Sequence, residues 1–222
     1  MNQESYEFTL DIRANIPSPL IKSLFRERKR MFVDNLKWTT SKSPDYESDE
    51  FDRSDTIYAI VHQGDTHVCS LRLNRGPIDK LLIGKFTKHN GDKDGMEWEI
   101  SRFFTNDISA SPSTMLLLYQ VFRFVVTKSV GRILATVDRR TLRYLRMMSV
   151  VCDESCEHPS GDRSILNIEI DTSLVSFLAF EKELIFKRLI KPSNREVINR
   201  NNISEYSKVV SELVNRKYKH AG

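Results

Sequence analysis

The sequence has little cysteine, no long apolar run and no recognisable leader, and each absence narrows the possible functions. Three cysteines in 222 residues are too few, and odd in number, for a disulfide scaffold. No apolar run approaches the ~18 residues that a membrane-spanning helix needs. The first ten residues, MNQESYEFTL, lack the basic and then apolar pattern of a signal peptide, so we expect a cytoplasmic protein.

Two motifs that would indicate other kinds of site are also missing. No strand-like run is followed by G-x-G-x-x-G, which argues against a dinucleotide-binding Rossmann fold. The motif CDESCEH at 152–158 does not have a zinc-ligand spacing, and no second ligand pair exists elsewhere, so we expect no metal site. A hydrophobic content of 40% with 29% charged residues is typical of a globular protein. We expect one domain over residues 1–190 and a polar, basic extension over 191–222, with a helix at 203–218.

Apolar periodicity in the first half predicts a helix, a hairpin and a strand. The helix is expected over 18–36, with Ser18 as its cap and Pro19 in its first turn. Residues 39–55 are polar and acidic, which is typical of a loop. Two β-rich runs around QGDT predict a hairpin over 56–75. The short run KLLIGKF is a further candidate element, and the run MEWEISRFFT predicts the next strand.

The second half continues this alternation. A long apolar helix is expected over 111–131, capped by Ser111 or Ser113 and ended by Gly131. The order of elements predicts an α/β domain with a mixed sheet flanked by helices, which suits a GNAT-like N-acyltransferase fold. The remaining expectations are a strand over 132–137, a helix over 139–148, a strand over 164–171, and a strand or helix over 174–180.

The motif WEISRFF at 98–104 places a carboxylate and a guanidinium three positions apart in an apolar strand. In strand geometry Trp98 and Ile100 point to one face, and Glu99 and Ser101 to the other. Burying a charge is costly unless the charge is paired. The motif therefore indicates either a structural ion pair or an active site, and the rest of the sequence must decide between them.

Several short motifs, in this order, resemble the acyl-homoserine lactone synthases, the LuxI-type autoinducer synthases of bacterial quorum sensing. They are RKRMFVDNLKW with the spacing R-x3-F-x5-W, then ESDEFD, CSLRL and EISRFF. The resemblance spans residues 28–104 and continues more weakly to about residue 146. The run RMMSVV lacks the family's usual glycine after the next helix, and the C-terminal third matches loosely. The matching residues are Arg28, Phe32, Trp38, Asp49, Asp52, Arg72, Glu99 and Arg102.

The resemblance implies a GNAT-type fold and a two-step reaction. An acyl chain carried as a thioester on acyl carrier protein is transferred to the amine of S-adenosylmethionine, and a lactone then forms with release of methylthioadenosine. S-adenosylmethionine is a substrate and no cofactor is implied; acyl carrier protein is the partner, and neither nucleic acid nor a membrane is expected. The implied S-adenosylmethionine site consists of Arg28, Phe32, Trp38, Asp49, Asp52, Arg72, Arg102 and Phe103.

The amine of S-adenosylmethionine is protonated at neutral pH, so a base must remove a proton before the amine attacks a thioester. Glu99 is the candidate, because burial beside Trp98 and Phe103 would raise its pKa toward neutrality. The alternative is that Glu99 only pairs with a neighbouring arginine. The catalytic candidates are Glu99, Ser101 and Arg102.

The other polar and aromatic candidates also have two readings. Arg28 and Arg102 can hold the substrate carboxylate or pair with acidic residues, as guanidinium groups do. Phe32 and Trp38 can face the sulfonium, although Phe32 also fits the apolar face of its helix. Asp49 and Asp52, taken alone, would fit a solvated acidic loop.

By the resemblance, the helix over 111–131 and the strand after it wall an acyl tunnel. Each candidate would also fit an ordinary core. Ala135 lies where this family often has a threonine that accompanies 3-oxo chains, so we expect acyl chains without a 3-oxo group unless a protonated Asp138 turns inward as a donor. The lining candidates are Ile100, Leu118, Val121, Ala135, Val137 and Leu145.

Four arginines fall near one helix face at i, i+1, i+4 and i+7. Acyl carrier protein is strongly acidic, so this face is a candidate docking surface; a solvated basic face is the alternative. The four residues are Arg139, Arg140, Arg143 and Arg146.

Two other functions compete with this interpretation. A GNAT-like N-acyltransferase using acyl-coenzyme A usually has a glycine-rich turn that holds pyrophosphate, and residues 107–113, DISASPS, lack one. A nucleic-acid-binding module would use the basic tail, but few stacking aromatics accompany the basic residues. That function would also leave the acidic loop and Glu99 without a role.

Overall fold

One mixed sheet of seven strands organises the part of the chain that the computed structural model describes, which is residues 6–37, 43–86, 96–106, 112–160 and 163–186. The strand order is β1-β2-β3-β4-β5-β7-β6. Within these ranges β4 and β5 are parallel, and the other neighbouring strands are antiparallel. The strands are β1 Glu7–Ile12, β2 Ile57–Gln63, β3 Thr66–Gly76, β4 Glu97–Thr105, β5 Arg132–Asp138, β6 Cys152–Ser160 and β7 Arg163–Asp171.

Helices cover both faces of the sheet. Alternation along β2 sends Ala59 and Val61 into the larger core and Tyr58 and Ile60 into the smaller one. The larger core lies under α2, α3 and α4, and the smaller core lies under α1. The helices are α1 Ser18–Arg28, continued by a π-helical turn Lys29–Asn35, then α2 Pro112–Thr127, α3 Arg139–Met147 and α4 Leu174–Phe186.

The sequence predicted most of these elements, including the hairpin, β4, β5, β7, α2 and α3. Residues 174–180, which the sequence left open, are helical in α4. The run KLLIGKF forms a short 3-10 turn, Leu82–Lys85, which follows another 3-10 turn, Ile78–Lys80. Strands β1 and β6 were not predicted. The expected helix at 203–218 lies outside the described residues.

Two predicted helix ends, the start of α1 and the end of α2, were wrong, and the predicted cap of α2 is not tested. Pro17, not Ser18, is the N-cap of α1, and it has no side-chain acceptor to offer. Ser113 lies inside α2, while Ser111 is outside the described residues. The same helix ends at Thr127 rather than Gly131, because Ser129 takes the left-handed conformation (φ 54°) that closes a helix C-terminus.

Ser149, in the run RMMSVV, follows α3 at a position where helices commonly have glycine. Its φ is 60°, and its N–H donates to Arg146 O at 3.0 Å while that of Val150 donates to Leu145 O at 3.0 Å. This is the pair of hydrogen bonds that ends a helix on a left-handed residue. The chain therefore makes the same turn with a serine, at a conformational cost that glycine avoids.

Strands β4 and β5 part inside the sheet, and this parting positions the site. Their register contains two pairs, Glu99 with Leu134 and Ile100 with Ala135. After these pairs, the facing backbone edges of the two strands have no strand partner within the described residues. A passage between the two faces of the sheet is the result.

Candidate active site

A β-bulge in β4 brings Arg102 onto the same side of the sheet as Ser101. Arg72 of β3 pairs with Ser101 and Ser70 pairs with Phe104, so two residues of β4 stand opposite one of β3. Arg102 has φ 54°, an uncommon and strained conformation for a residue other than glycine. Regular alternation would send its side chain to the opposite face from Ser101, whereas the bulge turns it toward the acidic loop.

Three arginines and three carboxylates meet on this face, so their formal charges balance. Burying such a group is favourable only when every charge is paired and hydrogen-bonded. The residues come from α1, β3, β4 and the loop between the π-helical turn and β2. They are Arg28, Arg72, Arg102, Glu47, Asp49 and Asp52.

Arg28 binds two of the carboxylates from the buried end of α1. Its Nε donates to Glu47 Oε2 at 2.5 Å, and its Nη1 and Nη2 donate to Asp52 Oδ1 and Oδ2 at 2.7 and 3.0 Å. Burial alone would lower the pKa of Arg28, but the charges of Asp52 and Glu47 outweigh it and raise that pKa above its ordinary value. This guanidinium is therefore a permanent part of the scaffold.

Asp52 is the central acceptor of the cluster. It also accepts from Arg72 Nη1 at 2.8 Å and from the Tyr58 hydroxyl at 2.6 Å. Burial would raise the pKa of Asp52, but Arg28 and Arg72 outweigh it and hold the pKa below its usual range. Burial and then the charge of Asp52 raise the pKa of Tyr58, which therefore stays a neutral donor.

Arg102 and Arg72 complete the network. Arg102 Nη2 donates to Glu47 Oε1 and Asp49 Oδ2, both at 2.8 Å, and its guanidinium lies 5.2 Å from the centre of the Phe32 ring. Arg72 donates to Asp49 Oδ1 at 2.5 Å through Nη1 and to Ser101 Oγ at 3.0 Å through Nε. Arg72 Nη2 is buried and has no hydrogen-bond partner within the described residues.

Glu99 is fully buried, and its carboxylate is not paired with Arg72 or Arg102. Both oxygens instead accept backbone hydrogen bonds, from Leu82 N at 3.0 Å and Ile83 N at 2.6 Å. Burial raises the pKa of Glu99, and the two N–H groups and the charge of Arg72 offset part of that rise. The buried environment comes from the 78–85 segment rather than from Trp98 and Phe103, which pack against the core on the α2 side.

A cavity of about 580 Å³ runs through the parting of β4 and β5. On the side of the ion-pair cluster its wall includes Phe32, Glu47, Asp49, Ser101 and Arg102. On the α2 side the wall is mostly apolar, and Asp138 and Thr141 are polar members of the lining. The apolar lining includes Ile100, Phe103, Leu118, Phe122, Ala135, Val137, Leu145 and Ile170.

Most, but not all, of the predicted site residues line this cavity. Arg28, Asp52, Arg72 and Glu99 lie behind the wall, in contact with residues that form it. Val121 is buried in the core and does not line the cavity; Phe122, one residue on, does. Trp38 lies outside the described residues, so its place in the site stays a prediction.

Other parts of the site were not predicted from the sequence. Glu47 bridges Arg28 and Arg102, and its own N–H donates to Phe25 O at 3.1 Å. It belongs to the same ESDEFD motif as Asp49 and Asp52. Charge balance would have found it, because three arginines were predicted with only two aspartates in the loop. The backbone N–H groups that donate to Glu99 could not be predicted, because no side-chain motif indicates them.

The four arginines of α3 are exposed, but two of them have acidic partners on β6. Arg139 is paired with Glu157, and Arg146 Nη2 is 2.9 Å from Glu154. Arg140 and Arg143 have no acidic partner among the described residues. The free positive charge of this surface is therefore concentrated on two adjacent turns of α3.

No group of three or more potential metal-ligating side chains comes together within the described residues. The side chains of Cys156 and His158 are not among those described. Within the same ranges, no helix has the length and apolar character needed to cross a membrane.

Solved structures of N-acyltransferases align with this chain over most of its length. The CoA-dependent acyl-homoserine lactone synthase BjaI, solved with SAM and isopentyl-CoA, aligns with a TM-score of 0.70 at 18% identity over 85% of this chain and 92% of its own. TofI, solved with an inhibitor and MTA, aligns with a TM-score of 0.63 at 18% identity, over 77% of this chain and 96% of its own. An acyl-CoA N-acyltransferase from Pseudomonas aeruginosa aligns with a TM-score of 0.52 at 14% identity, over 74% of this chain and 99% of its own. The GNAT-like fold prediction is confirmed.

Sequence comparison narrows this class to a family. The autoinducer synthase profile matches residues 14–176, and the chain belongs to that family. The acyl-homoserine-lactone synthase of Pseudomonas amygdali pv. tabaci is 26% identical over 151 residues, 64% of this chain and 67% of that protein. The synthase of Yersinia ruckeri is 31% identical over 109 residues, 48% of this chain and 47% of that protein. These relatives are acyltransferases, and the match to the Yersinia protein spans about half of its length.

Proposed function

We propose that this chain makes an N-acyl-homoserine lactone by transferring an acyl chain from a thioester to the amine of S-adenosylmethionine and then closing the lactone. The observation that carries the proposal is the two-sided cavity. One side is lined by paired charges and the other by apolar side chains, and the two sides meet where β4 and β5 part. A polar, charged substrate and an acyl chain can therefore meet at one point.

The charged side matches S-adenosylmethionine. This substrate carries a carboxylate, an ammonium and a sulfonium, so its net charge is +1. The three arginines and three carboxylates cancel, and ionised Glu99 adds one negative charge to the site. Among the three arginines only Arg102 lines the cavity, and it is the group that holds the substrate carboxylate, with Phe32 beside it. The buried Arg28 and Arg72 hold the acidic loop in place.

Glu99 is the proton acceptor in this proposal, because burial raises the pKa of its carboxyl group and a base near neutrality is the most effective. Ser101 lines the cavity two residues further along the same face of β4. Its oxygen accepts from Arg72 Nε, which leaves the hydroxyl hydrogen for another acceptor. A proton from the substrate ammonium reaches Glu99 directly or through a water.

Acyl transfer then follows from the geometry of the parting. The free amine attacks the thioester carbonyl carbon, a C–N bond forms, the C–S bond breaks, and the thiol leaves with a proton. Unpaired backbone edges of β4 and β5 beyond Ile100 and Ala135 supply N–H groups toward the carbonyl oxygen. Such fixed donors stabilise a developing oxyanion.

Lactone closure needs less from the protein. The substrate carboxylate attacks its own γ-carbon, a C–O bond forms, and the C–S bond to the sulfonium breaks to release neutral methylthioadenosine. Well-oriented groups in such a ring closure reach effective molarities of about 10⁵ M or more. Arg102 and the cavity wall have only to keep the methionyl chain folded.

The apolar side of the cavity holds the acyl chain, and its wall lacks a donor for a 3-oxo group at Ala135. Thr136 is on the opposite face of β5, where its hydroxyl donates to Asn167 Oδ1 at 2.9 Å. The Asp138 carboxylate is also occupied, because it caps α3 by accepting from Thr141 N at 2.6 Å. Asp138 does line the cavity, but its capping hydrogen bond uses the carboxylate as an acceptor and not as a donor.

We expect lactones without a 3-oxo group to dominate when 3-oxo and unsubstituted donors of equal length compete. A ketone buried without a donor costs roughly 1–3 kcal/mol, which is about tenfold to a hundredfold in product ratio. Ala135→Thr should shift the products toward the 3-oxo lactone, and Ala135→Val, of similar size without a hydroxyl, should not. A dominant 3-oxo lactone from the unmodified chain would contradict this and point to Thr141, which lines the cavity from α3.

Acyl carrier protein is the proposed donor, because Arg140 and Arg143 form an exposed and unpaired positive surface beside the cavity wall of α3. Reversing both charges to glutamate should raise the KM for the acylated carrier, most strongly at low salt, and leave the KM for S-adenosylmethionine unchanged. Lys22 and Arg26, exposed on α1, provide a control with the same change in net charge. An unchanged carrier KM at low salt would remove this docking assignment.

The proposed function is tested by mass spectrometry of spent medium from cells that express the chain. We expect acyl-homoserine lactones that are absent from cells carrying the empty vector. Purified protein supplied with matched acyl chains on carrier protein and on coenzyme A then identifies the donor. Coenzyme A as the better donor would keep the reaction and replace the partner, while the absence of lactone with both donors would reject the function.

A further inference from the structure

The 3-10 turn Leu82–Lys85 contacts Glu99 in a way that no side-chain motif indicates. Its first two N–H groups donate to the two different oxygens of the carboxylate, at 3.0 and 2.6 Å. Glu99 has no other hydrogen-bond donor within the described residues. A carboxylate that accepts backbone N–H groups is held in its charged form, which opposes the effect of burial.

The turn itself is rigidly seated. Leu81 and Ile83 pack with Leu134 of β5 in a small buried cluster. Gly84 has no room for a side chain, since a Cβ there would lie 2.2 Å from Ile78 O. Lys85 pairs with Glu50 and lies 4.8 Å from the centre of the Phe51 ring, which ties the turn to the acidic loop.

We propose that the Leu82–Lys85 turn is a positioning element of the reaction, whose two backbone N–H groups keep Glu99 ionised and in place to accept the substrate proton. The proposal rests on the proposed function. It adds that the packing of this turn sets the pH range in which the enzyme is active. Leu82 also lines the cavity, so the same turn forms part of the substrate wall.

The charged groups around Glu99 are paired with one another, so the two N–H groups of the turn are the hydrogen-bond donors to its carboxylate within the described residues. Arg72 of β3 and Asp49 of the acidic loop are the charges that act on Glu99, and they are paired with each other at 2.5 Å. Arg102, on the same strand, is paired with Glu47 and Asp49. The register partner on β5, Leu134, is apolar.

The chain offers a substitution that removes one N–H and leaves Glu99 untouched. Leu82 is the first residue of its turn, where proline is well accommodated. Leu81 before it has φ −109° and ψ 159°, which is the region that a residue preceding proline prefers. Leu82→Pro therefore deletes the donor to Glu99 Oε2, while Leu82→Ala loses the side chain and keeps the donor.

Losing a donor to the charged form raises the pKa of Glu99. A base works in its deprotonated form, so the acidic limb of the kcat/KM profile should move upward by about one pH unit in Leu82→Pro and stay in place in Leu82→Ala. The substrate ammonium titrates equally in every variant, so the difference belongs to the enzyme. Equal limbs in the unmodified chain, Leu82→Pro and Leu82→Ala would overturn the proposal.

Two further measurements keep the result interpretable. If Leu82→Pro does not fold, Gly84→Ala is the alternative, because it displaces the turn and leaves Glu99 unchanged. The acidic limb of its kcat/KM profile should also move to higher pH. An unmoved limb in folded Gly84→Ala would overturn the proposal. A ¹³C NMR titration of the Glu99 carboxyl carbon reports the same pKa difference without turnover. An upward move by NMR with no lactone formed would keep the turn's effect on Glu99 and reject the proposed function instead.

Discussion

Glu99→Gln should slow acyl transfer by about 10²- to 10⁴-fold and should remain folded. Glutamine cannot accept a proton at neutral pH, and its amide can accept only one of the two backbone N–H groups. The amide nitrogen would face the other N–H as a second donor. The variant therefore removes the proton acceptor and one of the contacts that hold it.

Turnover of purified Glu99→Gln, with both substrates saturating, measures this effect. Glu7→Gln is the matched control, because Glu7 is an exposed carboxylate on β1 that is not among the residues lining the cavity, and it should keep nearly full activity. Circular dichroism and thermal unfolding establish that both variants are folded. Unmodified turnover in Glu99→Gln would mean that the WEISRFF motif carries a structural carboxylate only.

Asp52→Asn should lower the free energy of unfolding by about 3–5 kcal/mol, because it leaves Arg28 and Arg72 buried with one fewer negative charge. Asp52 accepts from both guanidiniums and from Tyr58, so the substitution breaks the centre of the network. Asp55→Asn is the control, since Asp55 is 69% exposed in its pair with Arg53 and should change stability by less than about 0.5 kcal/mol.

The effect of Asp52→Asn on the free energy of unfolding should depend on pH. The pKa of Asp52 is lowered on folding, so its stabilisation is complete above the ordinary aspartate pKa of about 3.9 and is lost as the pH falls below that value. The gap in unfolding free energy between the unmodified chain and Asp52→Asn should therefore narrow below about pH 4. A gap of less than 1 kcal/mol at pH 7, measured by urea unfolding, would show that the cluster does not depend on Asp52.

The sequence was sufficient for the elements whose apolar periodicity matches their burial. Strand β4 and helix α2 are examples, since each buries one continuous set of apolar residues. It was insufficient for β6, whose run CDESCEHPS is polar because, among the described strands, β6 lies at the sheet edge and pairs with β7 alone. Such a strand is specified by its neighbour's backbone rather than by its own pattern.

The features of the site can also be separated into those that were predicted from the sequence and those that were not. The resemblance to the acyl-homoserine lactone synthases implied Arg28, Asp49, Asp52, Arg72 and Arg102 as site residues, and the structure brings all five together. The bulge that turns Arg102 inward could not be read, because alternation predicts the opposite face and a φ of 54° is not expected of arginine.

Two further features depended on tertiary packing. Helical spacing from Leu118 fits both Val121 at i+3 and Phe122 at i+4. The structure places Phe122 along the cavity, where its ring centre is 5.2 Å from that of Phe180 in α4, and places Val121 in the core. The donors to Glu99 are backbone groups of a segment 16 and 17 residues away, and their contact exists only in the folded chain.

The most direct measurement uses purified full-length chain, acylated carrier protein and S-adenosylmethionine labelled with ¹³C in its methionyl chain. We predict a labelled N-acyl-homoserine lactone and methylthioadenosine in equal amounts, with both products reduced together in Glu99→Gln. A lactone without label, or no lactone from either a carrier or a coenzyme A thioester, would contradict the account.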